Sequence, residues 1–236
     1  AYLAKDEKDF YERLDRLMDI SARSLSIKRT VITKLLDAGL YPYTKSYLGT
    51  FANHFSTIGL VGMNEAGLNA NWIGCNLTND KAQQFAKDVL DEIIEVFPYS
   101  QIHIGGDETP TNAWSNNAEC QAMMQKLGLT NVRQLQSHFV RQLSDHVTSK
   151  EGDKRRTVIM WNESLTAGGT DEELIKGTGG TMMCWEIGNA QPCALKAAQY
   201  GMKSIITTQV PYYINRKQGT DANEPPVAGY GTGNVK

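Results

Sequence analysis

Ser100-Gln101-Ile102-His103-Ile104-Gly105-Gly106-Asp107-Glu108 is the stretch on which the reading of this chain turns. Its first five residues read as a short strand. Two glycines then let the backbone turn sharply and let a ligand approach closely, and two carboxylates follow at once. Downstream the pattern alternates. A helix from about Asn131 to Thr148 places Val132, Leu135, Phe139 and Leu143 on one stripe. Thr157–Trp161, Thr181–Trp185 and Ser204–Thr208 read as strands, with one helical turn at Glu172–Lys176 and a helix at Ala190–Tyr200 between them. Strand and helix in alternation at this spacing imply a parallel sheet with right-handed crossovers, an α/β fold.

The carboxylates sit where that fold places chemistry. In a (β/α) barrel, catalytic groups project from the C-terminal ends of the strands. Adjacent carboxylates repel, so one of Asp107 and Glu108 is expected to hold its proton more firmly than the other. Such a split lets one group serve as acid and the other as anion. The plainer reading is a helix start, because carboxylates near a helix N-terminus suit its dipole.

Upstream, Lys5 to Asp37 reads as helix, with Phe10, Leu14, Leu17, Met18, Val31, Leu35 and Leu36 at helical spacing. Gly39 stops it and Pro42 confirms the stop. Leu40 to Trp72, rich in glycine and aromatics, reads as loops and short buried stretches. Asn79 or Asp80 caps a second helix running to about Val96, with Phe85, Val89, Ile93 and Val96 on its apolar face. The tail after Lys217 is Gly- and Pro-rich and carries no packing pattern.

Bulk properties bound the function. The chain has 236 residues, 41% of them hydrophobic, and a formal net charge of -2. It is long enough for a domain or a domain and a half. No basic face suggests nucleic acid, and no apolar run reaches the roughly 18 residues of a membrane span. The opening AYLAKDEKDFYERL has no apolar core of a signal peptide. Cys75, Cys120, Cys184 and Cys193 include no C-x-x-C pair, so buried thiols are expected rather than a metal site, and no cofactor is implied.

His103-Ile104-Gly105-Gly106-Asp107-Glu108 resembles the signature of the family 20 glycoside hydrolases, the β-N-acetylhexosaminidases. Trp161-Asn162-Glu163 resembles the family's Trp-x-Glu at the end of the fifth barrel strand, and Trp185 the tryptophan ending the sixth. Pro211-Tyr212-Tyr213-Ile214-Asn215 resembles the seventh-strand motif, usually Tyr-Tyr-Leu-Asp. The resemblance covers about residues 92–236 and implies an incomplete (β/α)8 (TIM) barrel, strands four to seven. It implies a carbohydrate substrate, and retaining, substrate-assisted removal of terminal N-acetylglucosamine or N-acetylgalactosamine, a mechanism without an enzyme nucleophile. Glu108 would be the acid and then the base, Asp107 would hold the acetamido N–H, and Tyr213 the acetamido oxygen. Trp161 and Trp185 would wall the sugar, with Glu163 and Asn215 also at the substrate. Asn215 stands where the family usually has Asp, and a neutral amide is a weaker acceptor for a sugar hydroxyl. Glu186 reads as solvated or structural.

Residues 1–91 resemble something else. Asp9-Phe10-Tyr11-Glu12-Arg13-Leu14, Gly39-Leu40-Tyr41-Pro42-Tyr43-Thr44-Lys45, Asn53-His54-Phe55-Ser56-Thr57-Ile58-Gly59-Leu60 and Gly62-Met63-Asn64-Glu65 are similar to an internal piece of an anaerobic (class III) ribonucleoside-triphosphate reductase. Neither that family's glycyl-radical motif nor its four-cysteine zinc site is present. His54 reads as a packed loop histidine, and Glu65 resembles an active-site position of that family. The join is expected inside the helix around Val89–Ile94. A natural fusion joins whole domains through exposed linkers, so an artefactual or engineered chimera is the favoured explanation. Residues 1–91 are expected to be a helical and loop-rich segment supplying no barrel strand. With the first three barrel strands and the eighth expected to be missing, the chain is expected to hydrolyse N-acetylglucosaminides barely or not at all. The alternatives are a reductase fragment and a non-catalytic remnant. The two resemblances point to different compartments, exported for one and cytoplasmic for the other.

Overall fold

A computed structural model of the protein describes residues 3–52, 54, 56–60, 66 and 80–209. Tyr213 and Asn215 lie outside the described residues, as do Glu65, Trp72 and Cys75. The chain divides into two compact units, Ala1–Phe97 and Pro98–Lys236.

The described part of the first unit is helical. Helix α1 spans Glu7–Asp37. Asp6 caps it, its side chain accepting the Asp9 N–H at 2.9 Å, with Glu7 and Asp9 in the first turn where the helix dipole favours them. Met18 and Leu36 are buried, but Leu17 is 63% and Val31 48% exposed. The helix thus carries two apolar stripes, and only one turns inward. Pro42 does more than end α1. It occupies the first turn of a second helix, α2 (Pro42–Leu48), where its missing N–H costs nothing and its φ is already helical. The loop reading of this stretch is corrected there. Arg29 fastens the following loop to α1, donating to the carbonyl of Phe51 (2.6 Å), to the carbonyl of His54 and to Ser56 Oγ (2.9 Å). His54 packs edge-on against Phe51, with ring centroids 5.6 Å apart. Helix α3 (Asp80–Val96) buries Phe85, Val89 and Ile94, and Phe85 meets Phe10 of α1 at 5.1 Å. The join expected near residue 92 therefore falls inside a helix that packs with the first unit.

The second unit is a four-stranded parallel sheet in the order β1-β2-β3-β4. The strands are β1 (Gln101–His103), β2 (Thr157–Trp161), β3 (Thr181–Cys184) and β4 (Lys203–Ile206). Gln101 pairs with Thr157, Ile159 with Thr181 and Thr181 with Lys203, so the four strands stay in step. Helices fill every crossover. After β1 come α4 (Asn112–Ser115), α5 (Ala118–Leu127) and α6 (Arg133–Thr148). A 3₁₀ turn at Gly152–Lys154 leads into β2. After β2 come α7 (Glu163–Thr166) and α8 (Glu172–Lys176), and after β3 comes α9 (Ala190–Gln199).

The core lies between sheet and helices. Val158, Met160, Met182 and Cys184 are fully buried, and Leu135, Val147, Ile175, Cys193 and Ala197 close over them. Val158 with Met160 and Met182 with Cys184 stand two residues apart on their strands, so each pair shares the face that packs against the helices. Cys120, Cys184 and Cys193 are buried free thiols. A hydrogen bond with the neighbouring Cys184, and then burial, push the Cys193 thiol up. Glu172 ties α8 to α9, accepting from Lys196 Nζ at 2.7 Å and from the Tyr200 hydroxyl at 2.6 Å. These two donors hold its carboxyl below the usual range. Among the described residues β1 and β4 each pair on one side only, and every residue of β4 is exposed. A closed barrel would cover such edges. No helix among the described residues is long and apolar enough to cross a membrane.

Candidate active site at the C-terminal edge of the sheet

The β1–β2 ladder continues past the end of β1. Ile104 N–H reaches the Ile159 carbonyl at 2.9 Å and Trp161 N–H reaches the Gly105 carbonyl at 3.0 Å. The chain then breaks away through Gly105 (φ 76°) and Gly106 (φ 103°), conformations closed to most L-residues. At Gly106 a side chain is excluded twice over, because a Cβ would also lie 2.3 Å from Ser164 Oγ on α7. The close approach that the two glycines permit is thus made by α7. Asp107 and Glu108 follow, both exposed. Glu108 is the one non-glycine residue with positive φ (44°) among those described. A left-handed conformation costs a side-chain-bearing residue about 1–2 kcal/mol, and such strain collects at functional sites where the surroundings impose it.

Those surroundings are identifiable. Gln136, on the first turns of α6, donates to the Gly106 carbonyl (3.2 Å) and to Thr109 Oγ1 (3.1 Å). Arg133 donates to the Thr109 carbonyl and to Gln136 Oε1, both at 3.0 Å. Glu163, the first residue of α7, accepts the Glu108 N–H at 3.4 Å on one oxygen and the Trp185 indole N–H at 2.9 Å on the other. The Trp161 ring packs against His103, with centroids 4.8 Å apart. His103 Nδ1 accepts the Gly105 N–H at 3.0 Å, so a neutral ring carries its proton on Nε2. Desolvation lowers the pKa of this imidazole, and the Asp107 carboxylate opposes that shift.

Asp107 and Glu108 thus follow β1, Trp161 ends β2 with Glu163 just after it, and Trp185 follows β3, all at one edge of one parallel sheet. This is the edge at which open and closed α/β folds bind ligands. Sequence reading missed the groups that hold these residues, Asn162, Gln136 and Arg133, and it missed Ser164, which fills the space beside Gly106. Gln136 had a signal, being a polar residue beside Leu135 at the start of an amphipathic helix, and it is only 7% exposed. Asn162 had none beyond its place inside the Trp-x-Glu motif. Glu186 is structural, accepting from Asn162 Nδ2 and Asn189 Nδ2, each at 2.9 Å. Among the described residues no group of three or more His, Cys, Asp or Glu could hold a metal ion.

The family model for the catalytic domain of glycosyl hydrolase family 20 matches residues 63–235. A second model, anaerobic ribonucleoside-triphosphate reductase, matches residues 1–101. The overlap of the two matches contains the expected join. A β-hexosaminidase of Porphyromonas gingivalis is 31% identical over 151 residues, covering 64% of this chain and 18% of its own length. One from Vibrio furnissii is 27% identical over 144 residues, covering 61% of this chain and 21% of its own length. The chain therefore matches only about a fifth of the length of these relatives. The crystal structure of a β-N-acetylhexosaminidase from Bacteroides fragilis superimposes with a TM-score of 0.52 at 24% identity, over 66% of this chain and 30% of that one. The fold is that of a partial α/β barrel.

Proposed function

Because the chain belongs to glycosyl hydrolase family 20, we propose that the C-terminal edge of its sheet is the acid–base side of a hexosaminidase site. The reaction is removal of terminal β-linked N-acetylglucosamine or N-acetylgalactosamine, with retention. The observation that carries this reading is the Glu163 carboxylate, which joins the Glu108 backbone to the Trp185 indole. It makes the ends of β1, β2 and β3 one constellation rather than three separate loops.

In this reading the substrate's own acetamido oxygen attacks the anomeric carbon as the glycosidic bond breaks, giving an oxazolinium ion. Glu108 protonates the departing oxygen, and its carboxylate then takes a proton from the water that opens the ring. Asp107 accepts the acetamido N–H and balances the positive charge that develops on the ring. Tyr213 steadies the acetamido oxygen for attack, Trp161 and Trp185 wall the sugar, and Asn215 meets an outer hydroxyl. Glu163 serves the substrate by holding the wall and the acid loop. Residues 1–91 are the reductase-like segment and take no part in the chemistry.

Substrate assistance makes a sharp demand, because a sugar without the 2-acetamido group has no internal nucleophile. Turnover by this chain is expected to be slight, and what there is should fall on a 4-nitrophenyl N-acetyl-β-glucosaminide and not on the matching 4-nitrophenyl β-glucoside, measured side by side. Equal release from both would reject the mechanism.

A further inference from the structure

We infer that Asn162 and Glu186 form a positioning pair that sets the place of Trp185, a role that rests on the carbohydrate reading of this edge. Asn162 stands one residue beyond β2 and is completely buried. Its Oδ1 accepts the backbone N–H of Trp185 at 3.1 Å and of Glu186 at 3.4 Å. Its Nδ2 donates to Glu186 Oε2 at 2.9 Å and to Thr166 Oγ1 at 3.3 Å. The backbone N–H of Asn162 extends the β2–β3 ladder to the Met183 carbonyl at 3.0 Å. One amide thus uses both of its donors and both acceptor positions, and three of its four side-chain bonds go to the two residues that follow β3.

The consequence concerns the indole. The backbone of Trp185 is gripped by Asn162, and the nitrogen of its ring by Glu163 Oε2 at 2.9 Å. These grips come from consecutive residues of one turn, so the ring cannot shift unless that turn shifts too. Glu186 closes the pair. Its carboxylate orients the Asn162 amide, and Asn189 Nδ2 at 2.9 Å holds that same carboxylate oxygen in turn. A pocket wall has to be held to about 0.5 Å by such supporting bonds. No other common side chain fits this place. Aspartate supplies no donor, and glutamine is one methylene too long for a fully buried site.

The pair can be tested by exchanging its polarity. Asn162→Asp places a second carboxylate against Glu186, and the test is run at alkaline pH, where the pair cannot keep a shared proton and no donor is left between them. Adding Glu186→Gln returns a donor, now from the other side, with the amide of the exposed Asn189 turned over so that its oxygen accepts from the new amide. The readouts are the indole N–H resonance of Trp185, assigned by its loss in Trp185→Phe, and the affinity for N-acetylglucosamine followed on the same resonance. Asn162→Asp is expected to displace or broaden that resonance and to weaken the sugar about tenfold, the effect of one buried polar group left unpaired. The Trp114 indole should stay in place. The double variant should restore both readouts. Glu186→Leu, at a half-buried position that tolerates substitution better, should displace the Trp185 resonance even where Asn162→Asp fails to fold. An unmoved Trp185 resonance in Glu186→Leu, or a double variant no closer to the parent than Asn162→Asp, would overturn the pairing. If the parent's indoles ignore the sugar while the exchange still moves and restores Trp185, the carbohydrate reading fails and the pairing stands.

Discussion

Glu108→Gln is expected to abolish the slight turnover of N,N′-diacetylchitobiose that the chain shows, since a positioned general acid–base is worth about 10²- to 10⁴-fold. Glutamine keeps the shape of the side chain and the backbone N–H that meets Glu163 at 3.4 Å. The positive φ of 44° is present in both proteins, so the strain is the same and stability should hardly change. Any loss is then chemical. The leaving group sharpens the test. A nitrophenolate departs with little need of a proton, whereas a sugar alkoxide needs one badly. The deficit should therefore be markedly larger for the disaccharide than for the nitrophenyl glycoside in the first, bond-breaking step. Equal deficits on both substrates would assign Glu108 to something other than protonation of the leaving oxygen. Initial rates with each substrate, parent and variant prepared identically, decide the matter.

Gly106→Ala is expected to destabilise the second unit by about 2–4 kcal/mol, by two routes that can be separated. Backbone at φ 103° is costly for any residue with a Cβ, and the new methyl would lie 2.3 Å from Ser164 Oγ in a packed turn. Ser164 itself is buried, and its hydroxyl finds no hydrogen-bond partner. Ser164→Ala should therefore be neutral or slightly stabilising. In the double variant the steric part should be relieved and the backbone part should remain. Denaturant unfolding of the four proteins gives both parts. A Gly106→Ala protein as stable as the parent would mean that the turn after β1 is not built as described.

Much of the second unit was legible in the sequence, for a physical reason. Thr157–Trp161 and Thr181–Cys184 are short runs dominated by apolar residues; the first falls at its expected bounds and the second ends one residue before the expected Trp185. The long helix α6 declared itself through its stripe. What stayed hidden was short or conditional. Helices α4 and α7 have four residues each, too few for a period to show. In α1 the stripe through Leu17 and Val31 looked as good as the one through Met18 and Leu36, and only the position of α3 decides between them. The site divides in the same way. Asp107, Glu108, Trp161 and Trp185 announce themselves by a motif. Asn162 becomes visible only when the ends of β2 and β3 stand side by side, because its partners lie 23 and 24 residues further on.

If this sheet edge holds an N-acetylated sugar, the indole N–H groups of its two tryptophans will report the binding. Trp161 and Trp185 are assigned by Trp→Phe substitution, and Trp114, on α4, serves as the reference. N-acetylglucosamine is expected to shift the Trp161 and Trp185 resonances in a saturable way and to leave Trp114 in place. Glucose, which lacks the acetamido group, should do neither at the same concentration. Resonances of Trp161 and Trp185 that ignore N-acetylglucosamine, or that answer glucose equally well, would contradict it.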